Sequence, residues 1–234
     1  LKTMKVATRI DIGDTSPIWV TFSANGKFAY VSGGHSSMIA KIDMSDANPG
    51  AWTYAARSNA GVEGPYGLSM NWQDTLVFAT GKNEGASNKG MEAGIAFVSK
   101  FGDPGAMSNG GVMGPLYLNG CIRPDHSVVN PDKTANELWY TCNSSFENVV
   151  VDMGNGTATD FNSWQSVKVK KFNVSATNPN GNVLQPNGGS SHGGAFARYT
   201  VNGANWTGEL LSDTNGFHGS AISTYKAAAA AAGN

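Results

Sequence analysis

The sequence is poor in charge. Only 14% of its 234 residues are Asp, Glu, Lys or Arg, and 16 basic against 17 acidic groups leave a formal net charge of −1. Nucleic-acid binding through counterion release needs many clustered cations. No such cluster occurs here, so nucleic acid is not an expected partner. Long apolar runs are also missing: nothing approaches the ~18 consecutive apolar residues of a membrane-spanning helix. Cysteine is limited to Cys121 and Cys142, with no Cys-x-x-Cys and no Cys-x-x-Cys-His. Covalent c-type haem is thereby excluded within the chain. The four histidines, His35, His126, His192 and His218, form no His-x-x-x-His pair, so there is no local metal signature either. Gly-x-Ser-x-Gly is absent, since Gly67-Leu68-Ser69-Met70-Asn71 lacks the second glycine. Helical periodicity is nearly absent, because Gly, Pro, Asn or Asp interrupts the chain about every ten residues.

What remains is 40% hydrophobic and 10% aromatic, with 30 Gly and 9 Pro, enough to bury a core in one domain. The chain reads as all-β. Its clearest segment runs from Pro17 through Trp19, Val20 and Phe22, turns at Asn25-Gly26 and returns as Phe28-Ala29-Tyr30-Val31-Ser32. Asn-Gly between two apolar runs is a strong hairpin signal. A third strand, Met38 to Asp43, follows a loop holding Gly33, Gly34 and His35. The order recurs after Pro65, with Tyr66 to Met70, Thr75 to Thr80 and Gly94 to Val98, and again after Pro124, with Asp125 to Val129, Glu137 to Cys142 and Asn148 to Asp152. A fourth unit is less regular, with strands at Trp164 to Phe172, Ala195 to Tyr199 and Gly208 to Asp213. A period of roughly fifty to sixty residues with three or four strands per unit is that of a β-propeller blade. We therefore expect a propeller of three- to four-stranded antiparallel blades over residues 1–226, with blades near 1–50, 51–101, 115–160 and 161–226.

The run SPIWVTFSANGKFAYVSGG, closing on MIAKIDM, resembles the YVTN type of β-propeller repeat, matching it at Ser23, Gly26, Lys27, Tyr30, Val31, Ile42 and Asp43. HSVVNPDKTANELWYTCNSSFENVVVDM is a looser copy. The resemblance implies a ring of six to eight blades, whereas at roughly 45 to 50 residues per blade this length makes about five. The chain therefore reads as incomplete. Leu1 in place of Met suits a processed protein or a fragment, and the Ala-rich tail 227–234 reads as unassigned sequence.

A propeller gathers the starts of its innermost strands around a channel. The residues after each leading proline are therefore the candidate ligand-facing set: Trp19, Tyr66, and Arg123, Asp125 and His126 around Pro124. Arg-Pro-Asp-His is the most polar group of these, suited to an anionic ligand or a metal and equally to a structural hydrogen-bonded histidine. Ser191-His192-Gly193-Gly194 and Gly216-Phe217-His218-Gly219 resemble each other as loop histidines and complete the set. Some YVTN-like propellers resemble the domain that holds d1-type haem in periplasmic nitrite reductases, which implies a comparable place for His126. Haem or a divalent metal is thus left open as cofactor, and none is favoured. The Gly-rich tracts at 81–94 and 102–114 lack a phosphate-loop pattern and read as blade insertions, with Met91, Met107 and Met113 as adaptable contacts.

Cys121 and Cys142 flank a strand pair, where either a disulfide or two reduced thiols is sterically open. A bridge, and the sequons beginning at Asn143, Asn155, Asn173 and Asn205, would both fit an oxidising compartment, so we expect a periplasmic, cell-surface or secreted location. With many loops and no catalytic signature, the chain reads as a protein-binding or self-assembling module of a larger complex rather than an enzyme. The alternatives are a haem- or metal-holding propeller subunit of a periplasmic redox enzyme, and a propeller hydrolase or lactonase.

Overall fold

The computed structural model describes residues 5–62, 64–81, 95–99, 112–118, 121–132, 134–143, 147–153, 168–171 and 193–218. The expected strands form, and each pairs antiparallel with its sequence neighbour. The first sheet is β1 (Pro17–Phe22), β2 (Phe28–Gly33), β3 (Met38–Asp43) and β4 (Thr53–Asn59), in that order. The second holds β5 (Pro65–Met70), β6 (Val77–Gly81), β7 (Ile95–Ser99) and β8 (Val112–Tyr117). The third holds β9 (Pro124–Val129), β10 (Glu137–Cys142), β11 (Glu147–Asp152) and β12 (Lys168–Lys171). A three-stranded sheet of β13 (Ala195–Asn202), β14 (Asn205–Asp213) and β15 (Gly216–Phe217) completes the set.

The protein is an all-β propeller, and the sheets divide the chain later than the sequence pattern suggested. Thr53–Asn59 closes the first sheet instead of opening a second unit at residue 51, Val112–Tyr117 lies beyond the boundary expected at 101, and Lys168–Lys171 belongs to the third sheet rather than the fourth. These are outermost strands. In β4, exposed positions alternate with buried ones toward its end, which gives a weaker signal than the innermost β9, buried at every position. The YVTN-type resemblance implied six to eight blades; the described residues form four sheets. The tail 227–234 lies outside the described residues. No described helix is long and apolar enough to cross a membrane.

Side-chain hydroxyls stitch one sheet to the next. The Ser32 hydroxyl donates to the Tyr66 carbonyl at 3.0 Å, and that of Thr80 to the Asp125 carbonyl at 2.6 Å. The Ser69 and Ser127 hydroxyls share a 2.6 Å bond. Ser212 donates to the Val129 carbonyl at 2.7 Å. The Phe22 N–H donates to the Asn215 carbonyl at 2.9 Å. The fourth sheet therefore bonds to β9 on one side and β1 on the other, and the four sheets close around an axis.

One core cluster fills the space between the second, third and fourth sheets, where the Trp72 and Phe217 rings stack at 3.8 Å. A second, with Tyr30, Ile39, Leu68 and Val77, joins the first two sheets. Between their turns lies a buried carboxylate: Asp74 accepts from the Ala24 N–H at 2.6 Å and the Asn25 N–H at 3.0 Å. Burial pushes its pKa up to about 6, against the pull of those two donors.

Cys121 and Cys142 form a disulfide across 21 residues, with Cα atoms 5.2 Å apart, so the bridged alternative is the one adopted. It ties the lead into β9 to the end of β10. Closing a loop of that length stabilises by about 3 kcal/mol in the chain-entropy treatment. Replacing both cysteines by alanine should lower unfolding stability by that amount in urea titration; an unchanged midpoint would mean that the turn holds its shape without the bridge.

Candidate functional site at the axial end

β1, β5 and β9 each open on a proline, whose fixed φ and missing N–H suit a strand start. The next few residues bring Trp19, Tyr66 and His126 together. The His126 ring lies 4.2 Å from that of Trp19 and 5.0 Å from that of Tyr66, centroid to centroid, both tilted. Trp19 is fixed from two sides: its backbone N–H donates to the Ser32 hydroxyl at 2.9 Å, and its indole N–H to the Thr214 carbonyl at 2.8 Å. The Thr141 hydroxyl lies 3.3 Å from the His126 N–H as acceptor and donates to the His126 carbonyl at 3.2 Å. His126 is 1% exposed and Asp125 0%, while Trp19, Tyr66 and Arg123 are half-buried.

Arg123 stands between the disulfide and Pro124 with φ +57°. A residue preceding proline prefers extended backbone, so this left-handed conformation is strained. The bridge and a 2.9 Å bond from the Asn143 N–H to the Arg123 carbonyl hold it in place. The Arg123 Nε is buried and has no hydrogen-bond partner among the described residues.

The other histidines are placed differently. His218 Nε2 lies 3.0 Å from Asp213 Oδ1, and its neighbour Phe217 stacks on Trp72, beyond the end of β5 opposite Tyr66. His218 thus belongs to a separate pairing. His35 is exposed, its Nδ1 3.2 Å from the Thr15 hydroxyl. His192 lies outside the described residues.

Sequence reasoning missed Gly67. A Cβ there would come 2.2 Å from the Asp125 carbonyl oxygen and 2.9 Å from both His126 Nδ1 and Thr80 Oγ1, so only glycine lets β5 approach β9 this closely. Its lone position inside a strand was the available signal. Haem or a metal does not fit this packing: two rings cover His126, and no group of three His, Cys, Asp or Glu side chains is placed to hold a metal among the described residues.

No family model matches the chain, and no curated protein matches it. Solved structures do. A 6-phosphogluconolactonase-like protein from Bacteroides uniformis is 18% identical, with a TM-score of 0.47 over 67% of this chain and 44% of that one. The periplasmic gluconolactonase of Pseudomonas aeruginosa is 13% identical, with a TM-score of 0.46 over 67% and 40%. The dihydro-haem d1 dehydrogenase NirN is 10% identical, with a TM-score of 0.41 over 82% and 41%. The chain spans less than half the length of each of these proteins.

Proposed function

We propose that this chain is a binding propeller of an extracytoplasmic complex and that its axial end recognises a protein partner. The observation that carries this reading is the division of labour at the head of β9. The groups able to move protons, Asp125 and His126, are sealed at 0% and 1% exposure, while the partly exposed groups beside them are Trp19, Tyr66 and Arg123. In this packing neither the carboxylate nor the imidazole is presented to a ligand at the surface. Trp, Tyr and Arg are the residue types that dominate protein-binding hot spots. The half-buried Arg123 guanidinium suits an acidic side chain of the partner, and the buried disulfide supports an oxidising compartment.

Arg123→Gly tests the reading without breaking the scaffold. Glycine accepts φ +57° freely and should raise stability by about 1 kcal/mol while removing the guanidinium. Native mass spectrometry of the protein isolated from its source should show a stoichiometric protein partner on the wild type and lose it in this variant. A partner retained by the variant would move recognition away from the axial end. A haem or metal mass on a chain without a partner would favour the redox-subunit reading, in which Trp19 or Tyr66 must swing off His126.

A further inference from the structure

We propose that two copies of this chain pair edge to edge through β13, making one continuous sheet from their fourth sheets. This surface is independent of the axial end. Three of the four sheets have four strands; the fourth has three, and β13 is its outer edge among the described residues. Natural edges are blunted by proline, lysine, bulges or shortness. β13 runs for eight residues, AFARYTVN, without proline or lysine; its pairing with β14 is irregular between Phe196 and Ala197 and unbroken from Ala197 to Asn202. Its one charge, Arg198, is matched within the sheet by Glu209 at 3.9 Å. Val201 is 73% exposed, Tyr199 64% and Leu210 on β14 42%.

The hairpin register fixes which backbone groups this edge offers a second copy. β13 and β14 join through Gly203-Ala204 between the paired Asn202 and Asn205, with Gly203 at φ +60°, a two-residue turn whose flanking pair exchanges both backbone bonds. Hydrogen-bonded pairs alternate from there, so Asn202, Thr200 and Arg198 turn their backbone groups toward β14. Ala197, Tyr199 and Val201 turn theirs outward. An antiparallel two-fold centred on Tyr199 sets Tyr199 against Tyr199 and Ala197 against Val201 of the second copy, so that every outward position meets an outward position. The three also share one face, so the exposed apolar stripe continues across the junction. A two-fold centred on Arg198 also sets outward positions together, Ala197 against Tyr199, but it opposes two guanidinium groups, so charge separates the two registers. In the favoured register Arg198 faces Thr200 of the second copy. The Tyr199 ring folds back over Gly208, where an added Cβ would lie 2.9 Å from its Cε1, and so leaves the edge open to a backbone.

Position 200 provides a charge test. Thr200→Arg places a guanidinium opposite Arg198 of the second copy at both ends of the junction, and Thr200→Glu places a carboxylate there. Sedimentation equilibrium of the full chain over a concentration series should show a dimer. Thr200→Arg should weaken it about tenfold and Thr200→Glu should tighten it several-fold, with unchanged thermal unfolding of the monomer. Wild type that stays monomeric throughout, or two variants that shift the dimer constant in the same direction, would overturn the proposal. Loss of an axial partner through Arg123→Gly leaves this dimer intact, so the two surfaces fail separately.

Discussion

Gly67→Ala is expected to cost about 3 kcal/mol of stability, at the upper end for forced overpacking, and to disturb the axial end more than any other single-methyl change. The added carbon would come 2.2 Å from the Asp125 carbonyl oxygen and 2.9 Å from the His126 ring. The first of these is backbone and cannot rotate away. β5 must therefore draw back from β9, which lengthens the 2.6 Å bond from Thr80 to the Asp125 carbonyl and loosens the ring stack formed by Tyr66, His126 and Trp19. Gly26→Ala is the internal comparison. Gly26 sits at φ +72° with nothing within 4 Å of an added Cβ, so alanine there pays only for the left-handed backbone, about 1 kcal/mol. Urea unfolding of both variants, with tryptophan emission as the probe, separates the two costs. Equal losses would falsify the close approach of β5 and β9.

The innermost and middle strands were legible because a propeller pairs strands that are neighbours in sequence, so each sheet is written in a local pattern. Asn25-Gly26 marks the first hairpin, and Val149 to Val151 lie in β11 with every side chain buried. The outer strands were harder to read. β8 is VMGPLY, and an internal Gly-Pro argues against a strand. It is tolerated because Pro115 pairs with Phe97 on one side only, at the sheet's outer edge. β12 is KVKK; it lies within the strand expected over Trp164 to Phe172, but four residues of this kind do not say which sheet they join, and it pairs with β11 rather than with the fourth sheet. The leading prolines pointed to Trp19, Tyr66 and the Arg123 to His126 group at one end of the axis. That the rings close over His126 was not legible. It depends on contacts such as Trp19 to Thr214, 195 residues apart, and no local pattern encodes a contact at that distance.

Between pH 4 and 6, wild-type stability should fall as pH rises, opposite to the usual behaviour of carboxylates. Asp74 is the cause. Its pKa is about 6 in the fold against an ordinary 3.8, because burial disfavours the charged form more than the Ala24 and Asn25 donors favour it. The folded state therefore holds a proton that the unfolded chain has released throughout this window, so the stabilisation is complete below pH 4 and is lost as pH passes 6. The full swing is about 3 kcal/mol. Asp43 and Asp132 act elsewhere. Hydrogen bonds from Ser45 and Thr134, respectively, hold them below 3.8, so they lose stability only as pH drops below about 4. Asp74→Asn should flatten the slope between pH 4 and 6. It should also cost stability at pH 4.5, because one amide face meets an N–H where the carboxyl offered an acceptor. Asp74→Ala should flatten the slope as well and cost about 2 to 4 kcal/mol at pH 4.5, since it leaves two N–H groups in the turn contact without acceptors. Urea midpoints at pH 4.5 and 7.5 for the three proteins decide the matter. A wild-type midpoint that does not drop between them would mean that water reaches Asp74, and that the first two sheets are held at their turns by an ordinary ionised carboxylate.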